Sequence, residues 1–251
     1  MSRTPIVGGN WKMNLTLGEA EALASEVRHR LGSYPGAQTV IFPPFPYLQA
    51  AASRLGDSPI GLGAQDLWYE GKGAFTGAVS ATMLTSVGCK WVLIGHSERR
   101  HAFGESDEVI AKKLRAALHA GLKPVLCVGE TLQERQAGQT FAVCGRQLRT
   151  ALSGLPRAEL EHLVVAYEPV WAIGTGLVAT PEQAQEVHAD IRERVGDLLG
   201  MDFAGKLRIQ YGGSVKSSTA AGLMSQPDVD GLLVGGASLQ AEEFAAIVRA
   251  K

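Results

Sequence analysis

Eight short apolar runs alternate with helical sequence from one end of this chain to the other, and that alternation constrains the fold more than any other feature. The runs fall at residues 6–10, 38–42, 60–65, 91–95, 124–128, 163–167, 207–211 and 231–234. Short, near-continuously apolar strands suit a parallel sheet covered by helices. The helices announce themselves by caps and stripes. Thr16 and Glu19 form a capping box ahead of Leu23, Val27 and Leu31, spaced four apart on one face. Thr180-Pro181-Glu182-Gln183 combines a capping box with proline at the first helical position, ahead of Val187, Ile191, Val195 and Leu198. Ser106 caps a helix expected to reach about Ala120. Further helices are expected at 47–54, at 81–87, through the sequence after Glu130 to about Leu152, briefly before the eighth strand, and at the end, where Phe244, Ile247 and Val248 face inward.

Eight βα units in 251 residues predict a single α/β domain, 1–251, closed into a parallel (β/α)8 barrel surrounded by helices. The pattern alone leaves an open doubly wound sheet as an alternative. A dinucleotide fold is disfavoured, because Gly8-Gly9, Gly212-Gly213 and Gly235-Gly236 are isolated pairs with no GxGxxG after a strand. A formal net charge of −1 gives no footprint for nucleic acid or an anionic membrane surface. Cys89, Cys127 and Cys144 are widely spaced and make no disulfide framework or CxxC pair, which suits a reducing cytoplasm. No apolar run approaches the ~20 residues of a membrane span, and the first residues lack the apolar core of a signal peptide. A cytoplasmic location is expected.

In such a barrel all strand C-termini open on one face. The polar residues there become one constellation. Asn10 and Lys12 follow the first strand, His96 and Glu98 the fourth, Glu168 the sixth, Ser214 the seventh, and Gly235-Gly236 the eighth. Pro169 ends the sixth strand, and the loop behind it, including Gly174, is apolar and glycine-punctuated, as a closing lid would be. A solvated loop glutamate is the plainer reading of Glu168 alone; convergence with the other strand ends favours a base. His96 can polarise a carbonyl oxygen and move protons, or be a hydrogen-bonded structural histidine. Lys12 can neutralise an anion, or be a surface lysine. Glu98 is expected to support Lys12 or His96. Each glycine pair singly reads as a tight turn; two on consecutive strands point to backbone N–H groups approaching a phosphate. Carboxylate, imidazole and cation around a phosphate-holding mouth suit proton abstraction beside a carbonyl. No HExxH, clustered histidine spacing or Ser-His-Asp arrangement is visible.

Five stretches then carry a resemblance. Gly9-Asn10-Trp11-Lys12-Met13-Asn14, Ile94-Gly95-His96-Ser97-Glu98-Arg99-Arg100, the stretch from Ala166 through Glu168 to Gly176, Tyr211-Gly212-Gly213-Ser214-Val215, and Val234-Gly235-Gly236-Ala237-Ser238-Leu239 resemble, in order, the motifs of the triosephosphate isomerase family. The likeness runs from Gly8 to near the C-terminus. It implies reversible interconversion of dihydroxyacetone phosphate and D-glyceraldehyde 3-phosphate through an enediolate, a step of glycolysis and gluconeogenesis, without cofactor or metal. By the same resemblance Glu168 is the base and His96, kept neutral by a helix N-terminus, the electrophile. Lys12 and Asn10 steady the substrate oxygens, and Gly174, Ser214, Gly235 and Gly236 offer N–H groups to the phosphate. The resemblance further implies a homodimer in which the loop from Asp66 to Val79 inserts into the partner, bringing Thr76 near the partner's site. Two positions depart from the family pattern. Ala78 stands where glutamate is common, removing a charge pair expected with the partner's Arg99. Leu177 stands where lysine often follows the lid, leaving an apolar trailing hinge. A larger sugar phosphate as substrate, or a non-catalytic phosphate-binding barrel, are the competing readings.

Overall fold

The computed structural model describes residues 3–174 and 178–250. Its elements run β1 Ile6–Asn10, α1 Leu17–Leu31, β2 Gln38–Phe42, α2 Leu48–Leu55, β3 Gly61–Ala64, α3 Ala81–Ser86, β4 Trp91–Ile94 and the short α4 Ser97–His101. Then follow α5 Asp107–His119, β5 Lys123–Val128, α6 Leu132–Gln136, α7 Thr140–Leu152, β6 Val164–Tyr167 and α8 Pro181–Leu199. The chain continues through α9 Met201–Ala204, β7 Arg208–Tyr211, α10 Ser217–Met224, β8 Gly231–Val234 and α11 Ala241–Val248. Each strand pairs in parallel with the next, and β8 closes on β1 with Ile6 opposite Gly231, so the sheet is a barrel without edges.

Alternation within each strand builds two cores. Ile6, Val40, Phe42, Trp91, Leu93, Val125, Cys127, Val164, Ala166 and Leu233 fill the barrel. Val7, Ile41, Val92, Leu126, Val165, Ile209 and Leu232 face outward, where Leu23, Val27, Leu114, Leu148 and Ile191 of the helices cover them. The Phe42 ring occupies space that two glycines vacate. A methyl group on Gly63 would lie 2.3 Å from its Cε1, and one on Gly8 3.0 Å from its Cε2. The glycines of these strands are therefore part of the packing.

One expectation is corrected. The helical sequence after Glu130 is not continuous: α6 stops, and Gly138 takes φ +69° before α7 starts. That left-handed backbone is one glycine adopts without steric cost, so the chain turns there. Behind β8 the first element is a single 3-10 turn, Gly236–Leu239, and the α-helix starts only at Ala241. The predicted third, fourth, sixth and seventh strands each shorten by one or two terminal residues, the usual imprecision of element ends. The capping boxes at Thr16 and Thr180 and the Ser106 cap form as expected.

The loop from Asp66 to Val79 has a fastened base and an exposed tip. Lys113 of α5, fully buried, donates to both oxygens of Asp66 at 2.7 Å and to Glu105 at 2.6 Å. Burial pushes the Asp66 carboxyl above its ordinary value even with Lys113 beside it. The Trp68 N–H donates to the Val79 carbonyl at 2.7 Å, while residues 71–78 are all exposed. Arg99 pairs within its own subunit, with Glu105 and with Asp66 at 3.3 Å, and lies 4.2 Å from the Phe103 ring centroid.

Candidate active site

The C-terminal ends of the strands enclose a cavity of about 490 Å³. Asn10, Lys12, His96, Glu168, Gly174, Ser214, Gly235 and Gly236 all line it. Of the predicted site residues only Glu98 stands outside the lining, and it touches two residues that belong to it.

Strand β1 delivers Asn10 and then turns sharply. Lys12 sits at φ +52°, a left-handed conformation costly for a side-chain-bearing residue. The surroundings hold it there. The Lys12 N–H donates to Asn10 Oδ1 at 3.0 Å, and Gln65 Nε2 donates to the Lys12 carbonyl at 2.8 Å and the Phe42 carbonyl at 2.9 Å. The Lys12 ammonium donates to Glu98 Oε1 at 2.6 Å, which fixes the cation over the mouth.

Behind β4, His96 caps α4. Its Nδ1 accepts the Glu98 N–H at 3.2 Å, so in the neutral ring the proton belongs on Nε2. Nε2 faces Glu168, 2.9 Å from Oε1, although that approach lacks the angle of a good hydrogen bond. Glu168 is 2 % exposed, and its Oε2 accepts the Ser97 N–H at 2.7 Å. Burial alone would raise the Glu168 carboxyl; His96, the Ser97 N–H and Lys12 together hold it below the ordinary carboxylate value. Burial opposes charge on His96, but the adjacent Glu168 outweighs it and lifts the imidazole above its ordinary value. The resting pair runs against the expectation of a neutral histidine. Burial favours the neutral ring, and the outweighing pull comes from Glu168, which a substrate between the two would separate from the imidazole.

Glu168 is gripped by its backbone as well. Its N–H donates to the Val128 carbonyl at 2.8 Å, and the Val170 N–H to the Glu130 carbonyl at 3.1 Å. A Cβ on Gly129 would fall 1.8 Å from the Glu168 carbonyl oxygen, so only glycine lets the two strand ends pass this closely. Gln147 of α7 secures that glycine from the other side, accepting its N–H at 2.8 Å and donating to its carbonyl at 3.2 Å. Farther along, fully buried Glu130 accepts from Tyr167 Oη at 3.1 Å and Trp171 Nε1 at 2.9 Å, tying down the start of the lid.

At the opposite end, the N–H groups of Gly235 and Gly236 have no hydrogen-bond acceptor among the described residues. Two such donors at a strand end suit an anion. Ser214 lines the same wall, but its N–H and hydroxyl both donate to the Ala172 carbonyl, at 3.2 and 2.7 Å. Offering the Ser214 N–H to a ligand therefore requires the lid segment at Ala172 to move. Gly174, at φ +69°, is the last residue described before 175–177; the expected hinge at Leu177 lies outside the described residues.

Sequence reasoning missed Gln65, Ser97, Glu130 and Gln147. Gln65 carried a signal, since it ends a predicted strand on the active face. Ser97 acts through its backbone N–H, which no residue type announces. Among the described residues no group of His, Cys, Asp and Glu side chains is placed to hold a metal ion.

Residues 5–251 match the family model described as Triosephosphate isomerase. The chain is 51% identical over 246 residues to the triosephosphate isomerase of Chloroflexus aurantiacus, covering 98% of each chain. It is 54% identical over 246 residues to that of Moorella thermoacetica, again 98% of each. With that of Rhodopirellula baltica it shares 49% identity over 250 residues, which is 100% of this chain and 98% of the relative.

Proposed function

The chain belongs to the triosephosphate isomerase family, and from that premise we propose residue roles for its site. It is an isomerase that interconverts dihydroxyacetone phosphate and D-glyceraldehyde 3-phosphate. The observation that carries the assignment of roles is the meeting of Glu168 and His96, from β6 and β4, in the cavity that also holds the Lys12 cation.

Glu168 takes a proton from C1 of dihydroxyacetone phosphate. The freed electron pair becomes the C1–C2 double bond, and negative charge collects on the C2 oxygen. His96 Nε2–H and the Lys12 ammonium meet that oxygen, with Asn10 beside them. His96 shuttles a proton between the two enediolate oxygens, and Glu168 returns its proton to C2, giving the aldehyde. Glu98 keeps Lys12 in place. Gly235 and Gly236 hold the phosphate, joined by Gly174 and Ser214 once the lid has moved. The substrate's arrival must displace Glu168 from the Ser97 N–H and from His96, which frees the carboxylate to act as base. A Glu168→Gln variant should lose roughly 10²–10⁴-fold in kcat with a smaller change in KM, read in a coupled assay in the presence of EDTA. An unchanged kcat would remove Glu168 from the role of base.

The working unit in this reading is a homodimer, held by the loop from Asp66 to Val79 with Thr76 near the partner's mouth. The exposed tip of that loop on a buried base supports it. So does the surrounding apolar surface: Met13, Met83 and Phe103 are 95%, 54% and 67% exposed. The intramolecular pairing of Arg99 supplies a reason why Ala78 is tolerated. Sedimentation at micromolar protein should give about twice 26.6 kDa, and an active monomer would contradict the dimer. Among the described residues no helix is long and apolar enough to cross a membrane, and a cytoplasmic setting fits the three free, buried cysteines.

A further inference from the structure

The phosphate end of the cavity is flanked by two helix starts, and one of them is already occupied by the protein itself. Glu243, in the first turn of α11, reaches across to the first residue of α10. Its Oε1 accepts the Ser217 N–H at 2.7 Å and its Oε2 the Ser217 hydroxyl at 3.0 Å. Glu243 lines the same cavity as Gly235, Gly236 and Lys216. The carboxylate is half-buried. A negative charge at the mouth of an anion-binding cavity works against the ligand unless it serves another purpose.

We infer that Glu243 is a resident anion that fills the α10 N-terminus and thereby makes the phosphate end accept one phosphate monoester and reject phosphoanhydrides. This rests on the reading that substrate phosphate lies at Gly235 and Gly236. Two N–H donors there suit a single phosphoryl group. A second phosphoryl group attached to the first would extend along the wall that Lys216 and Glu243 line, where Glu243 caps Ser217 just behind the lining. Glu243 holds the Ser217 donors and sets a like charge beside any ligand that extends that way. Nucleoside di- and triphosphates and inorganic pyrophosphate are the chemical class so excluded. Lys216 still attracts anions towards the mouth, so Glu243 discriminates among them by size and charge.

The test measures orthophosphate and pyrophosphate as competitive inhibitors of the isomerase, and their binding by calorimetry, in the wild type, Glu243→Gln and Glu243→Ala. Glu243→Gln keeps an acceptor for Ser217 and removes only the charge, so it remains informative if the alanine variant folds poorly. The expected result is about tenfold tighter pyrophosphate in Glu243→Ala and a smaller gain in Glu243→Gln, with orthophosphate changing less than about threefold. Pyrophosphate affinity unchanged in both folded variants, with orthophosphate still competing, would overturn the role of Glu243 alone. Failure of orthophosphate to compete with substrate in the wild type would overturn the phosphate reading and this inference with it.

Discussion

Gly63 and Phe42 show how single residues fix this barrel. A methyl group on Gly63 collides with a ring that packing and the strand backbone hold in place. Gly63→Ala should therefore destabilise the protein by about 1–3 kcal/mol, the ordinary cost of overpacking, measured by urea denaturation. Pairing it with Phe42→Leu should recover part of the loss, a coupling that two independent sites would not show. His188 makes a second case. It is fully buried on α8, with Nδ1 3.1 Å from the Asp228 carbonyl and its ring against Tyr167. Burial pushes its pKa from 6.5 down to about 4. Between those values the unfolded chain binds the proton and the folded one does not, so stability falls as pH drops through that window. The loss attributable to His188 is on the order of 3 kcal/mol by pH 4. Urea midpoints at pH 7.5 and 5 should differ less in His188→Gln than in the wild type. The chemistry-bearing side chains were legible at this scale because chemistry needs particular residue types at strand ends. The hold on them was not: Ser97 and Gly129 act through backbone, and the bonds of Gln65 and Gln147 span residues far apart in the chain.

The helices were legible where side chains close their ends. The Thr180 hydroxyl accepts the Gln183 N–H at 3.2 Å and Gln183 Oε1 the Thr180 N–H at 3.0 Å, as the capping sequence announced. Thr180→Ala should cost about 1 kcal/mol of stability in the same urea assay. Because α8 begins just beyond the lid, fraying of its first turn should also change the kinetics of the loop, visible as a viscosity dependence of kcat that differs from the wild type. Where an end depends on backbone conformation, the pattern misleads. Helix-forming residues stand on both sides of Gly138, yet that glycine's left-handed turn separates α6 from α7. The 3-10 turn behind β8 was hidden for a related reason: Gly236-Ala237-Ser238-Leu239 is too short to show a period.

Across the whole molecule, buried Lys113 and Asp66, with half-buried Glu105 and Arg99, join α5 to the base of the protruding loop. Removing one partner of such a group leaves buried charge uncompensated, which typically costs 3–5 kcal/mol. Lys113→Met should lower stability by an amount in that range. It should also raise the dimer dissociation constant, since the loop it anchors is the proposed contact; sedimentation equilibrium reads the second effect separately from the first. The barrel as a whole was the most legible level of all, because eight repeats of one simple unit average out errors in each. The partner surface was legible only through family likeness, since the exposed loop tip Gly73-Ala74-Phe75-Thr76-Gly77 carries no apolar period of its own.

Closure of β8 on β1 has a consequence for how the protein is made. A ribosome releases the histidine on the fourth strand and the base on the sixth well before the glycines that follow the eighth. Until that last strand emerges and pairs with the first, the two halves of the mouth have no common wall and Ile6 has no partner at Gly231. Activity cannot build up gradually with chain length; it has to appear in one step, once the final strand and α11 are free of the exit tunnel. Lysates programmed with messages truncated just before the codon for Gly231 would therefore yield protein that carries Asn10, Lys12, His96 and Glu168 and turns over no substrate.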